Sequence, residues 1–155
     1  MIELFSGKTN NFDLKFNSPL TPIHIDESIV SLSAILLDDA YYNSLVRGKR
    51  IVEGYSLIEI ETVILFKIKA WIDLKQRKEA GEQIDSKNIK KHRNDIFRLL
   101  VNVNPSTRVE IVDEIQEDLN EFIDMIHLDK PDLKNLGIKR TKFSELMEIL
   151  KNCFL

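Results

Sequence analysis

The stretch spanning residues 56–100 sets the tightest limit on how this chain can fold. Leu57, Ile60, Ile64, Ile68 and Trp71 recur at helical spacing, so one face of a long helix is apolar and has to be buried. Ser56 with Glu59 reads as a capping box at its start, and Ala80-Gly81-Glu82-Gln83 as the break that ends it. Asp85 or Ser86 then caps a second helix whose apolar positions are Ile89, Ile96, Leu99, Leu100 and Val103. A link this short makes the two helices antiparallel neighbours. Phe66 and Ala70 lie opposite the first seam, which predicts cover on more than one face and a place inside the molecule.

Upstream of the pair the apolar period shortens. Residues 1–6 and 12–16 read as two antiparallel strands joined by a turn over residues 6–11, where Gly7, Asn10 and Asn11 tolerate positive φ. Pro19 and Pro22 bracket a connector, followed by a brief strand at Ile23-His24-Ile25 and a further strand over residues 29–37. Asp38 and Asp39 cap a short helix through Leu45 that Gly48 closes, and residues 50–55 read as one more strand. Downstream, Pro105-Ser106 opens a third helix with Val112, Ile115, Leu119, Phe122 and Ile126 as its seam. Thr141, with Ser144 and Glu145 nearby, opens a last helix through Phe143, Leu146, Met147 and Leu150.

Strands first and helices afterwards is the order of an α+β protein, here a small mixed or antiparallel N-terminal sheet packed on a helical bundle. The expected division is residues 1–55 for the sheet with one short helix and residues 56–155 for the bundle, the two forming one compact unit. Three or four short strands leave open edges, so the sheet is expected to pair with further strands or to be covered by the long helix.

Composition narrows the function classes. Four prolines and five glycines in 155 residues argue against disorder. A net charge of −3 attracts no polyanion by its overall field and gives a nucleic-acid partner no support, so anion binding would need a local patch. The sequence offers one, since residues 67–98 are basic while residues 110–132 are strongly acidic. The single Cys153 excludes an internal disulfide and a Cys-rich zinc site, and reads as a buried thiol in a reducing compartment. No apolar run reaches the roughly 20 residues that cross a bilayer, and the first residues lack a basic flank and cleavage pattern. A cytoplasmic protein with no membrane partner is expected.

Lys69, Asp73 and Arg77 are spaced by four along the first helix, away from its seam. Such a ladder is ordinarily a solvated ion-pair stripe. Lys67 differs, because it flanks Ile64 and Trp71 at the edge of the apolar face and either snorkels or offers its ammonium to an anion. On the next helix Lys91 and Asp95 form another pair at the same spacing, and His92 falls beside the apolar stripe, where a packing role is the ordinary one. His24 and His127 are isolated, so a zinc hydrolase is not indicated. Neither a glycine-rich phosphate loop, a nucleophile elbow nor a helix that reads bases is recognisable. The carboxylates available to magnesium are Glu3, Asp13, Asp26, Asp38 and Asp39, of which the last two read more simply as helix caps. Glu3, between Ile2 and Leu4, reads more simply as the water-facing position of a half-exposed strand.

Four segments together resemble the AbiEii family of nucleotidyltransferases, which includes toxins of type IV toxin–antitoxin systems. They are Met1-Ile2-Glu3-Leu4-Phe5-Ser6, Leu36-Leu37-Asp38-Asp39-Ala40-Tyr41-Tyr42, Lys67-Ile68-Lys69-Ala70-Trp71 and Lys91-His92-Arg93-Asn94-Asp95. The resemblance covers roughly residues 1–103. It implies a small sheet holding carboxylates for Mg²⁺, followed by helices whose basic groups approach the phosphates of an NTP. Glu3 would match the later strand carboxylate and Lys67 the helix lysine, both in catalytic roles, while Lys91 and Asp95 would match the motif of the following helix. Lys69, Asp73 and Arg77 would line the phosphate side. The Gly-Ser turn and Asp-x-Asp strand that supply the family's first metal ligands are absent, Leu74 stands in place of an arginine, and His92 in place of an acid. The expectation is therefore a chain that starts after those strands and is inactive by itself, with an antitoxin or a second copy as partner through the open sheet edge. The alternative expectation is a non-enzymatic association module.

Overall fold

The computed structural model describes residues 4–7, 20–23 and 32–155, with side chains from residue 38 onward. The chain divides into two compact units, Met1–Arg47 and Gly48–Leu155. The division falls ahead of residues 50–55 rather than after them. The class is α+β, as the order of apolar periods predicts.

In the first unit, β1 (Leu4–Gly7), β2 (Leu20–Ile23) and β3 (Leu32–Leu37) form a mixed sheet in the order β1-β3-β2. β1 runs parallel to β3 with Leu4 opposite Ala34, and β2 runs antiparallel to it with Leu20 opposite Ile35. Ser6 and Gly7, expected in a turn, continue β1 instead. Pro22 belongs to β2 rather than to a connector, which the edge position permits because a strand there has amide groups that pair with no neighbour. The strand expected over residues 12–16, and with it the antiparallel pairing of the first two strands, lies outside the described residues. α1 (Asp39–Arg47) packs on β1 and β3. Asp38 Oδ1 accepts from the Tyr41 amide at 2.9 Å, so the first of the paired acids caps the helix.

The second unit opens with a hairpin where a single strand was expected. β4 (Lys49–Val52) and β5 (Tyr55–Ile58) pair antiparallel, with Val52 opposite Tyr55. Glu53 and Gly54 form the two-residue turn at φ of 50° and 83°, the positive pair that matches the twist of a hairpin. The expected capping box is therefore absent: Ser56 is a β5 residue, and Glu59 precedes α2 (Ile60–Glu79) without a side-chain cap. The Glu59 carboxylate instead accepts from Arg50 Nε at 2.7 Å, and the Glu59 amide donates to the Gly48 carbonyl at 2.8 Å. Both contacts fasten the hairpin base to the start of α2.

α3 (Ser86–Leu100) follows the break, where Gly81 sits at φ 93° and Asp85 caps by accepting from the Lys87 amide at 2.8 Å. α4 (Asp113–Ile126) starts later than expected, for Pro105-Ser106 opens a turn and not a helix. The intervening segment is held by the Val109 amide, which donates to the Cys153 carbonyl at 2.7 Å. α5 (Phe143–Phe154) begins with Glu145 accepting from the Lys142 amide at 3.0 Å, so the half of a capping box that reaches back is present.

The core of this unit lies among α2 to α5. Ile64, Leu65, Ile68, Trp71, Ile96, Phe97, Leu100, Leu119, Phe122, Ile126, Leu146 and Leu150 are all buried. Trp71 meets Phe122 edge-on at 5.2 Å and Phe97 stacks with Phe143 at 5.4 Å, joining α2 to α4 and α3 to α5. Phe66 and Ala70 are half-buried, so α2 is partly covered away from its main seam. Leu57 and Val112, expected in the seams, are exposed. Among the described residues, no helix is long and apolar enough to cross a membrane.

Candidate functional site

The apolar faces of α2 and α3 bury against each other, and the polar residues flanking those faces come together along the seam. Lys67 Nζ lies 3.4 Å from Asp95 Oδ2, with both side chains about a quarter exposed. The other oxygen of Asp95 takes Arg98 at 3.4 Å, one helical turn along α3. Two cations around one carboxylate leave a net positive charge at the surface. Lys91 is exposed, and among the described residues it makes no ion pair with Asp95; the expected pair at that spacing is replaced by the two from Lys67 and Arg98.

The remaining expected phosphate-side residues are held in other pairs. Lys69 donates both to Asp118 Oδ1 at 2.9 Å and to Oδ2 at 2.7 Å, across to α4, rather than to Asp73. Asp73 takes Arg77 at 3.4 Å, and Arg77 also donates to Glu82 through Nε at 2.9 Å and Nη2 at 2.7 Å. These bonds raise the pKa of the Arg77 guanidinium and lower that of the Glu82 carboxyl, the hydrogen bond between the two groups being the main cause. Gln76 adds a bond to Glu121 at 2.9 Å. The ladder is thus divided between an α2–α4 tie and a clamp on the break after α2.

Glu3, Asp13, Asp26 and His24 lie outside the described residues. His92 is half-buried on α3, and His127 stands edge-on to Phe143 at 5.7 Å. Among the described residues, no group of three or more His, Cys, Asp or Glu side chains could hold a metal ion.

One charged residue was given no role in the sequence reading. Arg93 is buried, and its Nη1 donates to the Asp129 carboxylate and, at 3.2 Å, to the Asp129 carbonyl, while its Nε and Nη2 reach Asn94 at 3.3 and 3.2 Å. The signal was available: Arg93 falls four residues after Ile89 and four before Phe97, on the apolar stripe itself. A charge at such a position needs a partner from another element.

Comparison of the chain with protein-family models, with curated proteins and with solved structures finds no match.

Proposed function

We propose that the chain is a nucleotidyltransferase-like protein of the AbiEii family, with α2 and α3 carrying the cationic side of an NTP site. The observation that supports this most is the Lys67–Asp95 pair at 3.4 Å. The resemblance singles out these two residues in different segments and on different helices, and they meet at a surface that is only partly covered. In this reading Lys67 faces the nucleotide phosphates, Asp95 holds its ammonium in place between the helices, and Lys91 adds a second cation one turn away. Cations so placed neutralise the charge that develops on a transferred phosphoryl group. Lys69 and Arg77, tied to Asp118 and Glu82, brace α2 behind them. Mg²⁺ belongs to this chemistry, but no carboxylate cluster among the described residues fits it, and the reading rests on phosphate binding. Calorimetric titration with an NTP in the presence of Mg²⁺ tests it. Heat of binding with a component that Lys67→Ala removes is expected, and no heat, or heat unchanged by that substitution, defeats the reading.

The second reading is association with a further copy of the chain, and the hairpin favours it. Ile51, Val52, Tyr55, Leu57 and Ile58 are all exposed, Ile51 and Tyr55 by more than 70%, on two strands that pair only with each other among the described residues. An open apolar edge of this kind recruits another strand. Light scattering distinguishes the readings: an oligomer that Ile51→Pro turns into a monomer belongs to the association reading.

A further inference from the structure

We infer that the groove between the end of α2 and the start of α3 is a second anion site, built for a phosphoryl group and separate from the Lys67–Asp95 pair. The groove has a volume of about 220 Å³ and is lined by Lys75, Lys78, Glu79, Ser86, Ile89, Lys90 and Asp129. Three lysines therefore line one open concavity. Among the described residues none of the three forms an ion pair with a carboxylate; Lys78 and Lys90 are exposed, while Lys75 is half-buried, where Lys67, Lys69, Arg77 and the buried Arg93 are all paired.

Their actual contacts leave them available. Lys75 Nζ lies over the ring of Trp71 at 4.6 Å, and Lys78 Nζ donates to the Ser86 hydroxyl. Trp71 is fully buried, so the indole holds the Lys75 ammonium itself, by a contact that carries no negative charge, at the wall of the groove. Of the two carboxylates in the lining, Asp129 is already neutralised by Arg93 from below, which leaves Glu79 against three lysines. The surrounding sequence has the same sign, with seven basic and three acidic side chains across residues 75–93 in a chain whose net charge is −3. Three like charges with a single carboxylate among them still repel one another, and an anion that enters the groove relieves that repulsion.

The chemistry of the lining selects the ligand class. Lysines bind phosphate as point charges, and the lining holds no aromatic face on which a base could stack and no arginine fork for a planar carboxylate. What the groove recognises is the phosphate itself, as the tail of a free nucleotide or as the backbone of RNA. None of its residues belongs to the Lys67–Asp95 cluster, so the two sites fail or succeed independently.

The test is calorimetry on the full chain at low salt, with inorganic pyrophosphate in one arm and a short single-stranded RNA in the other. Binding is expected to weaken about tenfold or more in the Lys75→Gln/Lys90→Gln variant and to be unchanged in Lys142→Gln, a surface control on another element. Thermal melts of the variants check that the fold is retained, as substitution of groove-lining lysines should allow. Pyrophosphate binding lost in the double variant, with no RNA binding, assigns the groove to free polyphosphates. RNA binding lost in the same double variant assigns it to a nucleic-acid backbone, and either result supports the site. Silence in both arms, or affinities indifferent to the double substitution, overturns it.

Discussion

Lys67 of α2 and Asp95 of α3 approach to 3.4 Å across the seam of the helix pair, and Asp95 shares its carboxylate with Arg98. The pair is partly exposed, so solvent screens it and its contribution to stability is small. A double-mutant cycle with Lys67→Gln and Asp95→Asn, followed by urea unfolding, should return a coupling of about 0.5–1 kcal/mol. A coupling near zero would mean that Asp95 does not hold the lysine in solution.

The buried Arg93 behaves differently. Asp129 is partly exposed and hydrates readily when left alone, whereas the guanidinium has little water to turn to. Asp129→Ala should therefore cost about 1–3 kcal/mol, more than Arg93→Met, which removes the charge and keeps much of the packing. Chemical denaturation of the two variants gives the order directly.

Gly48 tests how the hairpin is seated. A Cβ at this position would stand 2.0 Å from Thr62 Oγ1 and 2.9 Å from Thr62 Cβ, so Gly48→Ala forces the hairpin base away from α2. A loss of about 1–3 kcal/mol is expected. Adding Thr62→Ala removes the hydroxyl and methyl from the clash, and melting of the double variant should show partial recovery.

Cys153 supplies a pH-dependent test. Burial pushes its thiol up from 9.0 to about 11, with Glu61 adding to the rise and Arg108 opposing it. The folded state keeps the proton where the unfolded state has lost it, so the thiol's contribution to stability is constant below about pH 9 and falls as pH rises toward 11. The fall should be on the order of 2 kcal/mol and should vanish in Cys153→Ala. Thiol reagents at neutral pH should label the native protein only as fast as α5 opens.

The seams of α2, α3, α4 and α5 were legible because a buried face imposes its period on the sequence: Ile64, Ile68 and Trp71, or Ile115, Leu119 and Phe122, could be assigned before any coordinates. Elements fixed by distant partners were not. The turn at Glu53-Gly54 lacks the asparagine that usually marks a two-residue hairpin, so residues 50–55 read as one strand and most of β5 as the start of the long helix. Ser56 and Glu59 have the spacing of a capping box, yet Glu59 is engaged by Arg50. The late start of α4 depends on the bond from Val109 to Cys153, and the fate of Lys69 on Asp118, neither of which leaves a local trace. For the candidate site, helical spacing put Lys67 at the edge of an apolar face and Asp95 beside Lys91, and the resemblance gave both a role, but no pattern required their contact; Arg93 was given no role although it stood on an apolar stripe.

The central claim, that α2 and α3 present the phosphate side of a nucleotide site at Lys67, is tested most directly by amide chemical shifts during titration of the full chain with an NTP and Mg²⁺. The account predicts saturable shifts centred on Lys67, Lys91 and Asp95 that disappear in Lys67→Ala. Shifts confined to Lys75, Lys78 and Lys90, or none at all, would contradict it.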